Sequence, residues 1–118
     1  MTIPLERTYR IRRGDAWPGE TFRMICSIGI GFWDGAEARS AISLRGFDAI
    51  AHEFDLTGAT ITQESSVGIL TFTLSMTPQE TAALVPGYYV GDVEVTGTNI
   101  PTSTLISFTL EVVADVTR

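Results

Sequence analysis

The sequence predicts an all-β fold, an antiparallel sandwich of two sheets, and three observations support the prediction. Short runs of residues alternate between apolar and polar side chains, as in strands with one buried face. Turn signals rich in Gly, Pro, Asn and Asp separate these runs about every 8 to 12 residues. The series contains no regular alternation of strands with long helices, which disfavours a parallel α/β sheet.

The first half of the chain contains four predicted strands. Residues 21–28 place Phe22, Met24, Cys26 and Ile28 on one side, and residues 38–45 resume the alternation, as a second strand or as its hairpin partner. Short strands over residues 51–54 and 59–63 flank a turn at Asp55–Gly58. Cys26 is the single cysteine, so an internal disulfide is excluded and we expect a buried thiol.

The second half has the clearest patterns. Residues 69–76 place Phe72 inward and Thr71 outward, and residues 102–113 place Phe108 inward and Thr109 outward, with a further strand over residues 88–96. Between the strands predicted over residues 69–76 and 88–96 lies the segment TPQE. It combines an N-cap Thr, Pro at the first helical position and Glu three residues after the Thr. This capping box predicts one short helix before the penultimate strand.

The N-terminus carries an unusual concentration of positive charge. The chain has 118 residues, a net charge of −6 and eight basic residues, all of them Arg. Half of these arginines lie within seven residues, at Arg7, Arg10, Arg12 and Arg13. Residues 9–13 also alternate, so we expect an Arg-rich arm or edge strand over about residues 1–13 of a single domain that spans 1–118.

These four arginines have two interpretations. They form either a solvated, mildly basic strand or a contact that meets the acidic body of a neighbouring copy, and we list them as interface candidates. The absence of lysine and the negative net charge argue against non-specific binding to nucleic acid.

Three aromatic residues are further interface candidates: Trp17, Phe32 and Trp33. Large aromatic side chains are enriched at interfaces, and Phe32-Trp33 follows the Gly29-x-Gly31 segment, which resembles a loop. For Trp17 and Trp33, packing in the core is an equally good alternative.

No catalytic, metal or cofactor site is predicted. His52 is the single histidine, and no base, orienting group and oxyanion hole accompany it in the pattern. The carboxylates of the middle region match no calcium-loop spacing and are explained as turn residues and solvated charges; they are Asp34, Glu37, Asp48, Glu53 and Asp55. The Gly29-x-Gly31 pair lacks the third glycine of a dinucleotide fingerprint. We expect a protein that is not an enzyme.

No apolar stretch is long enough for a membrane-spanning helix, and we expect no membrane partner. The first residues lack the apolar core of a signal peptide, so we expect folding in the reducing cytoplasm of the cell that makes the protein.

Together the strands and the helix indicate an immunoglobulin-like sandwich.

Several phrases resemble small bacteriophage virion proteins related to the N-terminal domain of phage baseplate upper proteins. In chain order they are Arg13-Gly14-Asp15, DLTGAT at residues 55–60, GILTFTLS at residues 68–75, TAAL at residues 81–84 with PGYY at 86–89, and the closing DVTR. In that family DLTGAT stands closer to the start, whereas here it follows an extra segment that contains residues 29–45. Inserted loops often make contacts, so this segment is expected to determine which virion component is bound.

The resemblance implies a virion structural protein, made in the host cytoplasm and present in many copies or as a homo-oligomer. It would act as an adaptor or attachment module on the tail, baseplate or fibre, with tail, fibre or capsid subunits as partners. A capsid decoration protein is the alternative within this class. An immunoglobulin-like carbohydrate-binding or adhesive module, using exposed aromatic rings as stacking platforms, is the alternative from another class.

Overall fold

The computed structural model describes residues 5–26, 33, 35–64, 67–98 and 100–114. The elements in chain order are β1 (Leu5–Arg12), β2 (Trp17–Cys26), β3 (Glu37–Leu44), β4 (Ile50–Phe54), β5 (Thr60–Glu64), β6 (Val67–Met76), α1 (Pro78–Ala82), β7 (Gly87–Gly97) and β8 (Ile100–Val113). The all-β prediction is confirmed, and so is the short helix before the penultimate strand.

The strands form two sheets that pack face to face. The first sheet has five strands in the order β1-β8-β7-β3-β4, and the second has three in the order β2-β6-β5. All neighbours are antiparallel except β1 and β8, which run parallel from Leu5 opposite Ile106 to Arg12 opposite Val113. The Arg-rich segment is therefore an edge strand of the five-stranded sheet.

The hairpin alternative for the second and third strands is wrong. β2 pairs with β6, whereas β3 pairs with β7 and β4, so the two strands belong to different sheets. Alternation of side chains shows that a strand has a buried face, but it carries no information about the pairing partner.

One apolar cluster fills the space between the sheets. From the three-stranded sheet, Phe22 and Phe72 stack with their ring centroids 5.5 Å apart, and Phe108 belongs to the same cluster from the five-stranded sheet. Each of the three side chains is at most 4% exposed. The predicted inward faces are thus confirmed for Phe72 and Phe108, while Thr71 and Thr109 are only half-buried. The side chain of Cys26 lies outside the described residues.

The helix is held at both the local and the tertiary level. Thr77 Oγ1 accepts a hydrogen bond from the Glu80 amide, and the Glu80 carboxylate accepts one from the Thr77 amide, which completes the predicted capping box. The fully buried Thr81 hydroxyl accepts from the Gly14 amide and lies 2.8 Å from the Asp15 carbonyl oxygen. Two of the phrases noted in the sequence, RGD and TAAL, therefore meet in space.

A tyrosine closes the corner between α1 and β7. Tyr89 is 1% exposed, and its hydroxyl donates a 2.7 Å hydrogen bond to the Val85 carbonyl oxygen four residues upstream. A tyrosine at the start of the penultimate strand that bonds back to this corner is a hallmark of immunoglobulin-type sandwiches.

Candidate interaction surface

The four arginines of the N-terminal segment have different surroundings. Arg10 is 73% exposed and lies 3.6 Å from Glu111 on the neighbouring strand β8. Arg12 is exposed at the end of β1. Arg7 points toward the other sheet, where its Nε is 3.3 Å from Glu20, and Arg13 donates a 3.0 Å hydrogen bond to the Ala82 carbonyl oxygen. Arg7, Arg10 and Arg13 thus make contacts within the chain.

Arg7 belongs to a polar cluster that links the two sheets at their edges. Glu20 on β2 contacts two residues of β1. Its carboxylate accepts a 2.6 Å hydrogen bond from the Tyr9 hydroxyl and lies 3.3 Å from the Arg7 guanidinium. Burial, helped by the bond to Glu20 and its negative charge, raises the pKa of Tyr9 well above its ordinary value. The sequence offers no signal for this cluster, because Tyr9 and Glu20 lie in strands that meet only after the sheets have packed.

The raised tyrosine pKa values predict a loss of stability in alkaline solution. Burial also raises the pKa of Tyr89, so both phenols hold their protons more tightly in the folded than in the unfolded chain. Their contribution is complete below the unfolded tyrosine pKa of about 10 and is lost as pH rises toward the folded values. We expect the free energy of unfolding to fall above about pH 10, measured by urea titration alongside tyrosinate absorbance. A free energy that is flat across this range would contradict the described burial.

The fall should be shallower in Tyr9→Phe, because that variant keeps only one of the two tightly held protons. The slope against pH is the relevant readout, since the substitution also removes the hydrogen bond to Glu20. A slope equal to that of the unmodified chain would exclude Tyr9 as a source of the effect.

Two of the three aromatic candidates, Trp17 and Trp33, lie among the described residues. Trp33 is 5% exposed, and its Nε1 donates a 3.0 Å hydrogen bond to the Gly68 carbonyl oxygen, so the core alternative holds for this residue. Trp17 is half-buried and packs edge-on against Tyr9 at 5.0 Å and Phe54 at 6.2 Å. Phe32 lies outside the described residues.

The outer face of the five-stranded sheet, called the outer face below, is the surface that sequence reasoning missed. The strand register arranges its side chains in three rows across the sheet. The arginine row contains Arg10, Glu111, Tyr88 and Arg45. The middle row contains Thr8, Thr109, Val90, Ser43 and Ile50. The acidic row contains Glu6, Ser107, Asp92, Ala41 and Glu53.

The middle of the outer face is apolar at one side and made of small residues elsewhere. Val90 is 42% exposed, Ile50 is 62% exposed, and Phe47 from the turn between β3 and β4 is 64% exposed. Large exposed apolar side chains that cluster on one face are typical of interaction sites. A shallow concavity of about 700 Å³ connects Phe47 and Val90 to the acidic row.

The arginine row combines two arginines with one carboxylate, Glu111, whereas the acidic row has three carboxylates and no basic side chain. Arg45 lies 5.3 Å above the ring of Tyr88, so the aromatic side chain holds a cation at this end. Arg12, one row further along β1, adds a second exposed arginine beside Arg10. At the other end, Glu6, Asp92 and Glu53 are all exposed. The outer face therefore has a basic end, an apolar centre and an acidic end.

Other candidate groups have ordinary structural surroundings. The His52 ring packs edge-on against Phe54 at 4.8 Å, and its Nε2 is 3.9 Å from the Glu80 carboxylate. Asp55 accepts hydrogen bonds from the amide and hydroxyl of Thr57, which lower the pKa of this carboxyl. Within the described part of the chain, no group of three or more potential ligands is placed to hold a metal ion. Asp34 lies outside the described residues. None of the described helices is long and apolar enough to cross a membrane.

No protein-family model and no curated protein sequence matches this chain. Among solved structures, a family 123 glycoside hydrolase from Clostridium perfringens, studied for glycolipid glycan hydrolysis, overlaps 97% of this chain with a TM-score of 0.53 and 10% identity. The overlap covers 24% of that chain, so this chain spans about a quarter of its length. AggA, the major subunit of aggregative adherence fimbriae type I from Escherichia coli, overlaps 94% of this chain and 91% of its own, with a TM-score of 0.41 and 14% identity.

At 10% identity, the similarity to the hydrolase concerns the fold alone. The similarity to the fimbrial subunit, with a TM-score of 0.41, adds nothing to that conclusion. Strand order, corner tyrosine and shared core define the chain as an immunoglobulin-like β-sandwich domain.

Proposed function

We propose that this chain is a non-catalytic structural subunit of a bacteriophage virion, present in several copies per particle, that holds other virion components. The composition of the outer face is the observation that supports a structural role. It combines exposed apolar side chains with charged rows of opposite sign, which suits docking onto another protein surface. The phage setting comes from the sequence resemblance, whose RGD and TAAL phrases form one hydrogen-bonded corner here.

The surroundings of the single histidine support a role without catalysis. The described neighbours of His52 are an aromatic ring and a carboxylate at 3.9 Å, and no nucleophile among the described residues is hydrogen-bonded to it. An acid–base mechanism needs a reacting group within hydrogen-bond reach of its base.

The carbohydrate-binding alternative has less support. A stacking platform needs an open aromatic face, but Trp33 is buried and Trp17 is half-buried. Tyr88 is 49% exposed, and the Arg45 guanidinium lies 5.3 Å from the centroid of its ring, where it competes with a stacked sugar. Phe47 is exposed but lacks the polar atom with which Trp and Tyr contribute hydrogen bonds to a ligand.

The location of the protein in purified particles tests the proposed function. We expect the chain to co-purify with particles of the phage that encodes it, in many copies per particle, as measured by quantitative mass spectrometry after density-gradient purification. Recovery on isolated tails supports the adaptor role, and recovery on isolated heads supports the capsid decoration alternative. A chain found only in the soluble lysate, or one that binds arrayed glycans and no particle, would overturn the proposal.

A further inference from the structure

We propose that the outer face binds the outer face of a second copy of this chain, around a two-fold axis that runs across the strands through the middle row. The inference rests on the proposed role as a multi-copy subunit and names the partner of its main surface.

Two-fold symmetry allows two ways of placing these faces against each other. With the axis along the strands, each row meets itself with the strand order reversed. Asp92 then opposes Asp92 and Glu6 opposes Glu53, while Arg45 lies opposite Glu111. With the axis across the strands, strand direction reverses, and the arginine row of one copy covers the acidic row of the other. The opposed carboxylates of the acidic rows disfavour the first arrangement, whereas the second avoids them and places arginines opposite carboxylates.

The second arrangement specifies which residues meet. The axis keeps each strand opposite its own counterpart, so Arg10 on β1 faces Glu6 of the second copy. Arg45 lies over the position of Ala41, between the acidic side chains of Asp92 and Glu53. Each contact occurs twice, as a self-complementary interface requires.

The middle row lies on the axis and meets its own copy. Val90 then packs against Val90 of the second copy and Ile50 against Ile50, while the exposed Phe47 lines the same concavity as Val90. The rest of the row has short side chains, Thr8, Thr109 and Ser43, which let two sheets approach closely. The exposed apolar side chains of this face are thereby removed from water.

The size of the face determines the expected strength. Five strands about 4.8 Å apart and three rows about 7 Å apart cover a flat area of roughly 500 Å² on each copy. This is below the roughly 800 Å² per partner of a standard interface. We therefore expect a concentration-dependent dimer that weakens as salt screens the charged rows.

Analytical ultracentrifugation of the whole chain, over a range of concentrations and at low and high salt, measures this dimer. Val90→Arg places two like charges on the axis and is expected to weaken dimerisation about tenfold or more. Thr62→Arg, at an exposed position of β5 on the other sheet, adds the same charge and should leave the dimer unchanged. Circular dichroism confirms that both variants are folded.

A charge exchange tests the direction of the axis. Arg45→Glu and Asp92→Arg should each weaken the dimer, and the double variant should restore it, because these side chains approach each other only when the axis crosses the strands. A monomer under all conditions, equal dimerisation of the Val90 and Thr62 variants, or a double variant no better than the singles would overturn the inference. Those results leave the proposed function intact if the chain is still found in particles. A dimer with this behaviour in a chain absent from particles overturns the proposed function instead.

Discussion

Gly19→Ala is expected to lower the free energy of unfolding by about 3 kcal/mol or more, because the backbone leaves no room for a side chain. Gly19 lies at the irregularity of β2, between Trp17 and Glu20, with φ of 73°. A Cβ at this position would overlap the Leu74 carbonyl oxygen on β6. The bulge lets β2 pass close to its neighbour, and only glycine combines this φ with that approach.

Two other glycines separate the cost of a positive φ from the cost of the Cβ overlap at Gly19. Gly46 has φ of 89° and open space around it, so Gly46→Ala isolates the conformational cost, about 1 kcal/mol. Gly58 has open space and an ordinary φ, so Gly58→Ala should be nearly neutral. Urea unfolding of the three variants gives the comparison. Equal losses at Gly19 and Gly46 would show that the β2 and β6 backbones are further apart than described.

Phe108→Ala is expected to cost about 3–5 kcal/mol, a large part of the stability of a domain of this size. Phe108 is 4% exposed and packs edge-on against Tyr9 at 6.0 Å and Phe54 at 6.2 Å. Its ring also fills the space above Gly91, where a Cβ would come within 2.7 Å of it. Truncation removes these contacts and leaves a cavity that the two sheets cannot close without moving apart.

Thr109→Ala provides the matched control on the same strand. Thr109 follows Phe108 and points to the outer face, where it is half-buried, so its truncation should cost less than about 1 kcal/mol. Thermal and urea unfolding measure both variants. Comparable losses from the two substitutions would mean that β8 is shifted by one residue, since such a shift exchanges its two faces.

Local sequence patterns account for the elements themselves. The alternation through β6 and β8 identifies the buried phenylalanines, and the TPQE segment identifies the start of α1, because each signal is confined to a few neighbouring residues. The N-terminal alternation also marks β1, although it leaves open whether that segment pairs with the domain.

The pairing of strands determines what the sequence leaves open. Arg7 and Arg10 are equivalent charges three residues apart, yet parallel pairing with β8 places Arg7 against Glu20 of the other sheet and Arg10 on the outer face. Trp33 has the residue type of an interface anchor, but the tertiary structure buries it beneath Gly68.

By itself, the sequence determined an all-β chain, most of its strands, the buried faces of β6 and β8 and the capped start of α1, because these depend on side-chain alternation and hydrogen bonds within a few residues. Only the tertiary structure decided which strands are neighbours, and hence that the basic, apolar and acidic rows share one face. Residues such as Arg45 and Glu111 are far apart in the chain, and register across β7 is what brings them into one row. Register depends on contacts between the whole sheets, which no local pattern encodes.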